Sequence, residues 1–166
     1  MSDKKIKKIL VALDGSKNSL RALDESIKLA QQTNASITGL FVVRAFPTET
    51  EVIRKLIGNA LSKKSKNFMK VAKTKCQKNN IEFFDVTEFG HEGQTIVSFA
   101  EKNNIEFFDV IEFGHEGQTI VSYAEKNKYD VIVIGSRGMG VIKEFFLGST
   151  SHFVVHTSKI PVLVVK

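Results

Sequence analysis

The chain has 166 residues, enough for one domain of ordinary size with little left for a second. Apolar residues are 42% and charged residues 25% of it, which excludes a disordered chain, and no apolar run nears the ~20 residues of a membrane span. Net charge is +6, and the lone cysteine, Cys76, excludes an internal disulfide framework or a cysteine-rich metal site.

Residues 6–13 (IKKILVAL) open the chain as a strand, continuously apolar in its second half as buried parallel strands are. No secretory apolar region precedes it, so the expected setting is the cytoplasm. Asp14-Gly15-Ser16 is a turn, and Ser16 or Asn18 can cap a helix bearing Leu20, Leu23, Ile27 and Ala30 at three- and four-residue spacing. A second strand covers 35–43, and a loop with Pro47 covers 45–51.

A helix follows from about 51 to 77. From Arg54 to Lys78 it holds eight lysines, one arginine and no acids. Lys63, Lys66, Lys70 and Lys73 share one side, and Leu61, Phe68, Ala72 and Cys76 the other. That is the pattern of a solvated face over an apolar stripe, with Cys76 a small core hydrophobe. A nucleic-acid patch is the less favoured reading.

Residues 78–101 and 102–125 then repeat almost identically, differing only as Thr87 against Ile111 and Phe99 against Tyr123. This reads as a tandem copy of one strand-loop-helix unit, too few copies for a solenoid. The second copy, with its strand at 105–113 and its helix at 118–126, is expected to take the regular place, because it runs straight into Asp130. The first copy would add a strand outside it or lie on the surface. Residues 130–134 form another apolar strand, 135–140 a glycine-rich loop, 149–158 a helix, and 160–165 (IPVLVV) the last strand.

Alternating strands and helices imply one α/β domain over 1–166, with an open, mostly parallel sheet covered by helices on both faces. The natural strand order is 3-2-1-4-5. The order would reverse between the first strand and the strand 130–134, which is where such sheets bind ligands. Two loops would meet there, Ala12-Leu13-Asp14-Gly15 and Gly135-Ser136-Arg137-Gly138.

The spacing after the fourth strand is G-x2-G-x9-G-S, formed by Gly135, Gly138, Gly148 and Ser149. It is neither a Walker A loop nor the dinucleotide fingerprint. Gly135 can let a ring or ribose come close to the backbone, and Gly138 can supply a positive φ or another close approach. Gly148 precedes Ser149-Thr150-Ser151 at a helix start, where amides, hydroxyls and the helix dipole suit phosphates. Read singly, the glycines are turns and Ser149 a cap.

Together, Lys8-Ile-Leu-Val-Ala-Leu-Asp14-Gly-Ser, Asp130-Val-Ile-Val-Ile-Gly-Ser-Arg-Gly138, Gly148-Ser-Thr and Pro161-Val-Leu-Val-Val resemble the universal stress protein family, specifically its ATP-binding branch. The resemblance implies a Rossmann-like domain that binds ATP, ADP or AMP and acts in the stress response as a regulator, with at most slow ATP hydrolysis. It implies that Ala12, Leu13, Asp14 and Val42 contact ribose and adenine. Gly135, Arg137 and Gly138 would border ribose and phosphates, and Gly148, Ser149, Thr150 and Ser151 would hold the phosphate chain. Mg²⁺ or Mn²⁺ would ride on the phosphates, with no protein cage.

His115 and Glu116, with their counterparts His91 and Glu92, read as a polar loop capping the next helix, in preference to a catalytic or metal role. His152 and His156 have metal-chelating spacing but no third ligand, so a structural role is expected. Residues 160–165 form an apolar edge, and with the family's habit this implies a homodimer through the last strands. No membrane or nucleic-acid partner is expected.

Overall fold

The computed structural model describes residues 5–43, 51–89, 115–138 and 147–166. In chain order the elements are β1 (Lys8–Ala12), α1 (Lys17–Thr33), β2 (Ser36–Val43), α2 (Glu51–Lys78), β3 (Phe83–Phe89), α3 (His115–Lys126), β4 (Val131–Gly135), α4 (Ser149–Thr157) and β5 (Val162–Val165). The strands form one five-stranded sheet in the order β3-β2-β1-β4-β5, and each neighbouring pair is parallel. The expected α/β architecture and the 3-2-1-4-5 order are therefore present.

Parallel strands in the middle of a sheet are covered on both faces, so their sequences read as near-continuous apolar runs. Val131–Gly135 is buried throughout, and Ile9, Leu10 and Val11 are fully buried. Alternate side chains feed two cores. Ile9, Val11, Val131 and Val133 pack with Leu23 and Ile27 of α1 and with Met69, Ala72 and Cys76 of α2. Leu10, Leu40, Ile132 and Ile134 pack with Ile120, Val121 and Ala124 of α3 and Val154 of α4. Each fully buried valine, leucine or isoleucine among them contributes about 1.5–3 kcal/mol.

On α2 the stripe is as expected where side chains are described: Ala72 and Cys76 are buried and Phe68 is partly so, while Lys66, Lys70 and Lys73 are exposed. The side chains of Leu61 and Lys63, and the loop placed at 45–51 up to residue 50, lie outside the described residues. Burial alone pushes the Cys76 thiol from its usual 9.0 up to about 11. Lys75 Nζ meets Asp24 Oδ1 at 2.7 Å and ties α2 to α1.

The repeat resolves differently from the expectation. The strand place beside β2 is taken by the first block, Phe83–Phe89, in a seven-residue register from Ile37↔Phe83 to Val43↔Phe89. The helix place is taken by the second block. The reason on the strand side is local. Asn80 adopts φ 55°, and the Ile81 N–H donates to Cys76 O at 3.0 Å, so α2 is capped and turned directly into the nearest strand. Thr87, exposed on this edge strand, loses nothing by not being isoleucine. The strand expected at 105–113 lies outside the described residues.

Candidate functional site

β1 and β4 lie side by side, with Ile9↔Val131 and Val11↔Val133 in register, so the strand order reverses between them as expected. After β1, the Leu13 N–H donates to Leu40 O at 2.9 Å, and its side chain joins the α1 core at 2% exposure. Leu13 therefore has only its backbone left for a ligand. Ala12 and Val42, both partly buried, pack against the other core.

Gly15 follows with φ +83°, and Phe68 of α2 stands 2.8 Å from where a Cβ would lie, so both conformation and packing require glycine. This turn lets Asp14 Oδ1 accept the Ser16 N–H at 2.9 Å. Ser16 Oγ in turn accepts the Ser19 N–H at 3.1 Å and caps α1; of the two candidate caps, Ser16 serves. Asp14 is thereby held at the crevice, half-buried, with its other oxygen turned across it. Oδ2 lies 2.7 Å from the point a Cβ would occupy on Gly138.

The two other glycines of the spacing motif behave differently. A Cβ on Gly135 would stand 2.8 Å from the Asn18 carbonyl carbon and 2.9 Å from Ser19 N. On the side where a Cβ would stand, the close approach at Gly135 is thus made by α1. Gly148 has φ −73° and ψ 164°, and a Cβ there would meet only ordinary contacts of 3.6–3.8 Å. Neither the backbone nor packing among the described residues demands glycine at 148. What its missing side chain leaves is room in front of α4.

Gly148 is also the N-cap of α4 and offers no side chain to the helix. The first amides of a helix, here those of Ser149, Thr150 and Ser151, have no intrahelical acceptor and carry the positive end of the dipole. Ser149 is exposed. Ser151 is not available in the way expected. It is buried, and its hydroxyl contacts Ser136 O at 2.8 Å and Gly148 O at 3.0 Å. Its side chain anchors the helix start, which leaves its amide for a phosphate.

Two residues escaped the sequence reading. Ser136 is buried; its N–H donates to Val165 O at 2.6 Å and its carbonyl accepts the Gly148 N–H at 2.8 Å, tying the loop to β5 and to α4. Glu116 was read as loop, yet it stands in the first turn of α3, and the Thr150 hydroxyl donates to its Oε2 at 3.0 Å. An acid at a helix start was the available signal. Arg137 is half-buried at the same loop.

His152 and His156 stack on exposed turns of α4 with ring centroids 4.4 Å apart. Among the described residues no three His, Cys, Asp or Glu side chains converge on a metal position. His91 and Glu92, the side chain of His115, and loop residues 139–146 lie outside the described set. A separate cleft of about 450 Å³ lies at the other ends of the strands, among Asn34, Ser36, Asn79 and Glu82. Among the described residues no helix is long and apolar enough to cross a membrane.

Comparison with known proteins adds the following. Residues 5–166 match the family model described as the universal stress protein family. Universal stress protein YxiE of Bacillus subtilis is 29% identical over 169 residues, covering 96% of this chain and 98% of that one. Universal stress protein UspA from Lactobacillus plantarum superposes with a TM-score of 0.73 at 20% identity, covering 98% of this chain and 99% of that one. A universal stress protein from Archaeoglobus fulgidus in complex with dAMP aligns with a TM-score of 0.65 at 16% identity, covering 98% and 99%. Another universal stress protein, in complex with cAMP, aligns with a TM-score of 0.60 at 22% identity, covering 97% of each chain.

Proposed function

The chain belongs to the universal stress protein family, and from that premise we propose that it binds an adenine nucleotide (ATP, ADP or AMP) between the carboxyl ends of β1 and β4. The observation that carries this reading is the pairing of Asp14 Oδ2 with Gly138, 2.7 Å from a would-be Cβ, beside the open N-terminus of α4. A carboxylate suits ribose hydroxyls, and a bare backbone lets the sugar come close. Free amides at Ser149, Thr150 and Ser151 suit the phosphates. Gly148, whose glycine serves no packing need among the described residues, adds no side chain to that end. The complexes of related proteins with dAMP and cAMP support the adenylate class.

In this reading Val42 and Ala12 border the base, and Gly135 and Arg137 frame the loop. The nucleotide serves as a regulatory signal in the stress response. A divalent ion (Mg²⁺ or Mn²⁺) would rest on phosphate oxygens, because the described side chains do not assemble a cage for it. We further propose a homodimer through β5, the sheet edge, where Leu163 is 40% exposed.

Isothermal titration with AMP, ADP and ATP tests the site. Wild type should bind at least one of them. Asp14→Ala and Gly138→Val should weaken that binding ten-fold or more with the fold retained. No binding of any of the three, or wild-type affinity in both variants, would remove the reading.

A further inference from the structure

We propose that the strand place beside β2 and the helix place beneath it each have two interchangeable occupants, so that the folded chain exchanges among arrangements differing in which block fills them. The described arrangement takes β3 from the first block and α3 from the second, with residues 90–114 between them.

The residues that make the β3 contacts are the same in both blocks. Ile81 is buried, and Phe83 packs against Gly39, its ring 2.7 Å from a would-be Cβ there. Val86 joins the α3–α4 core. Their counterparts are Ile105, Phe107 and Val110. The one difference within the strand, Thr87 against Ile111, falls at an exposed position. The helix place is equally permissive. Gly117, Ile120, Val121 and Ala124 are its buried residues, and Gly93, Ile96, Val97 and Ala100 repeat them. Gly117 is required, since a Cβ would stand 2.8 Å from the Phe153 ring, and Gly93 meets the same need. Only Tyr123, beside Tyr129 with ring centroids at 5.9 Å, differs, as Phe99.

The arrangements therefore bury the same core. They differ in where the extra residues sit: between α2 and β3, between β3 and α3, or between α3 and β4. Loop-closure cost grows only with the logarithm of length, so moving an insertion from one connection to another changes that cost little; the turn in which the Ile81 N–H donates to Cys76 O belongs to the first block alone and makes it the favoured occupant of the strand place. All three keep the parallel crossovers and leave the β1–β4 crevice intact. The inference stands apart from nucleotide binding.

Disabling one occupant at a time is the test. Phe83→Asp places a charge against Gly39 and removes the first block from the strand place. Phe107→Asp does the same to the second, and the double variant disables both. With exchange, each single variant keeps a cooperative urea transition near the wild-type midpoint, and the double variant loses it. Hydrogen exchange read by mass spectrometry should show protection moving in Phe83→Asp from the peptide containing Thr87 to the one containing Ile111, which differ in mass. The proposal is overturned if Phe83→Asp is as damaged as the double variant. It is equally overturned if Phe83→Asp stays folded with protection remaining at residues 83–89.

Discussion

Gly135 and Gly138 stand three residues apart in one loop, and the structure assigns them opposite sensitivities to the same substitution. An alanine at 135 would put its Cβ under 3.0 Å from three atoms of Asn18 and Ser19, two of them backbone. The first turn of α1 cannot yield without breaking the Ser16 cap, whose oxygen holds the Ser19 N–H. Overpacking of this kind costs about 1–3 kcal/mol. That outweighs the ~0.5–1 kcal/mol that replacing a strand glycine otherwise returns. Among the described residues, an alanine at 138 meets only the end of a side chain, Asp14 Oδ2 at 2.7 Å. The carboxylate swings aside by roughly 0.7 Å to reach ordinary contact, with stability held within ~0.5 kcal/mol. In the proposed site it then no longer points at the ribose. Loss of a charge-assisted hydrogen bond, about 1.5–3 kcal/mol, weakens nucleotide binding roughly ten- to hundred-fold. Urea denaturation at constant slope reads the first effect and calorimetric titration the second. Wild-type stability in Gly135→Ala, or equal destabilisation in both variants, would refute this account of the loop.

Cys76 gives a pH dependence with a definite sign. Burial raises its folded-state pKa from 9.0 to about 11, so the folded chain holds this proton more tightly than the unfolded chain does. The contribution of Cys76 to stability should be level below pH 9 and fall as pH rises from 9 to 11. Cys76→Ala should lack that part of the fall, and parallel pH profiles for the two proteins would contradict the assignment. For the β5 edge, light scattering on a gel-filtration column should give twice the 18.5 kDa chain mass at micromolar concentration. A monomer alone would exclude the dimer.

Much of the fold was open to reading because it is encoded between near neighbours. The apolar run at 131–134, the Ser16 cap, and the period of Ala72 and Cys76 against Lys66, Lys70 and Lys73 are short-range patterns. Alternation then restricts the sheet to few orders. Asp14 and the loop from Gly135 to Gly138 could be brought together on that basis alone. Local pattern has no power, however, where two segments are nearly the same, so only the turn from Cys76 through Ile81 and the pairing with β2 decide that Phe83–Phe89 fills the edge. Nor does it say what a small residue is small for. That Gly135 accommodates α1, that the Ser151 hydroxyl turns inward to Ser136, and that Glu116 reaches Thr150 across 34 residues are consequences of packing between distant elements.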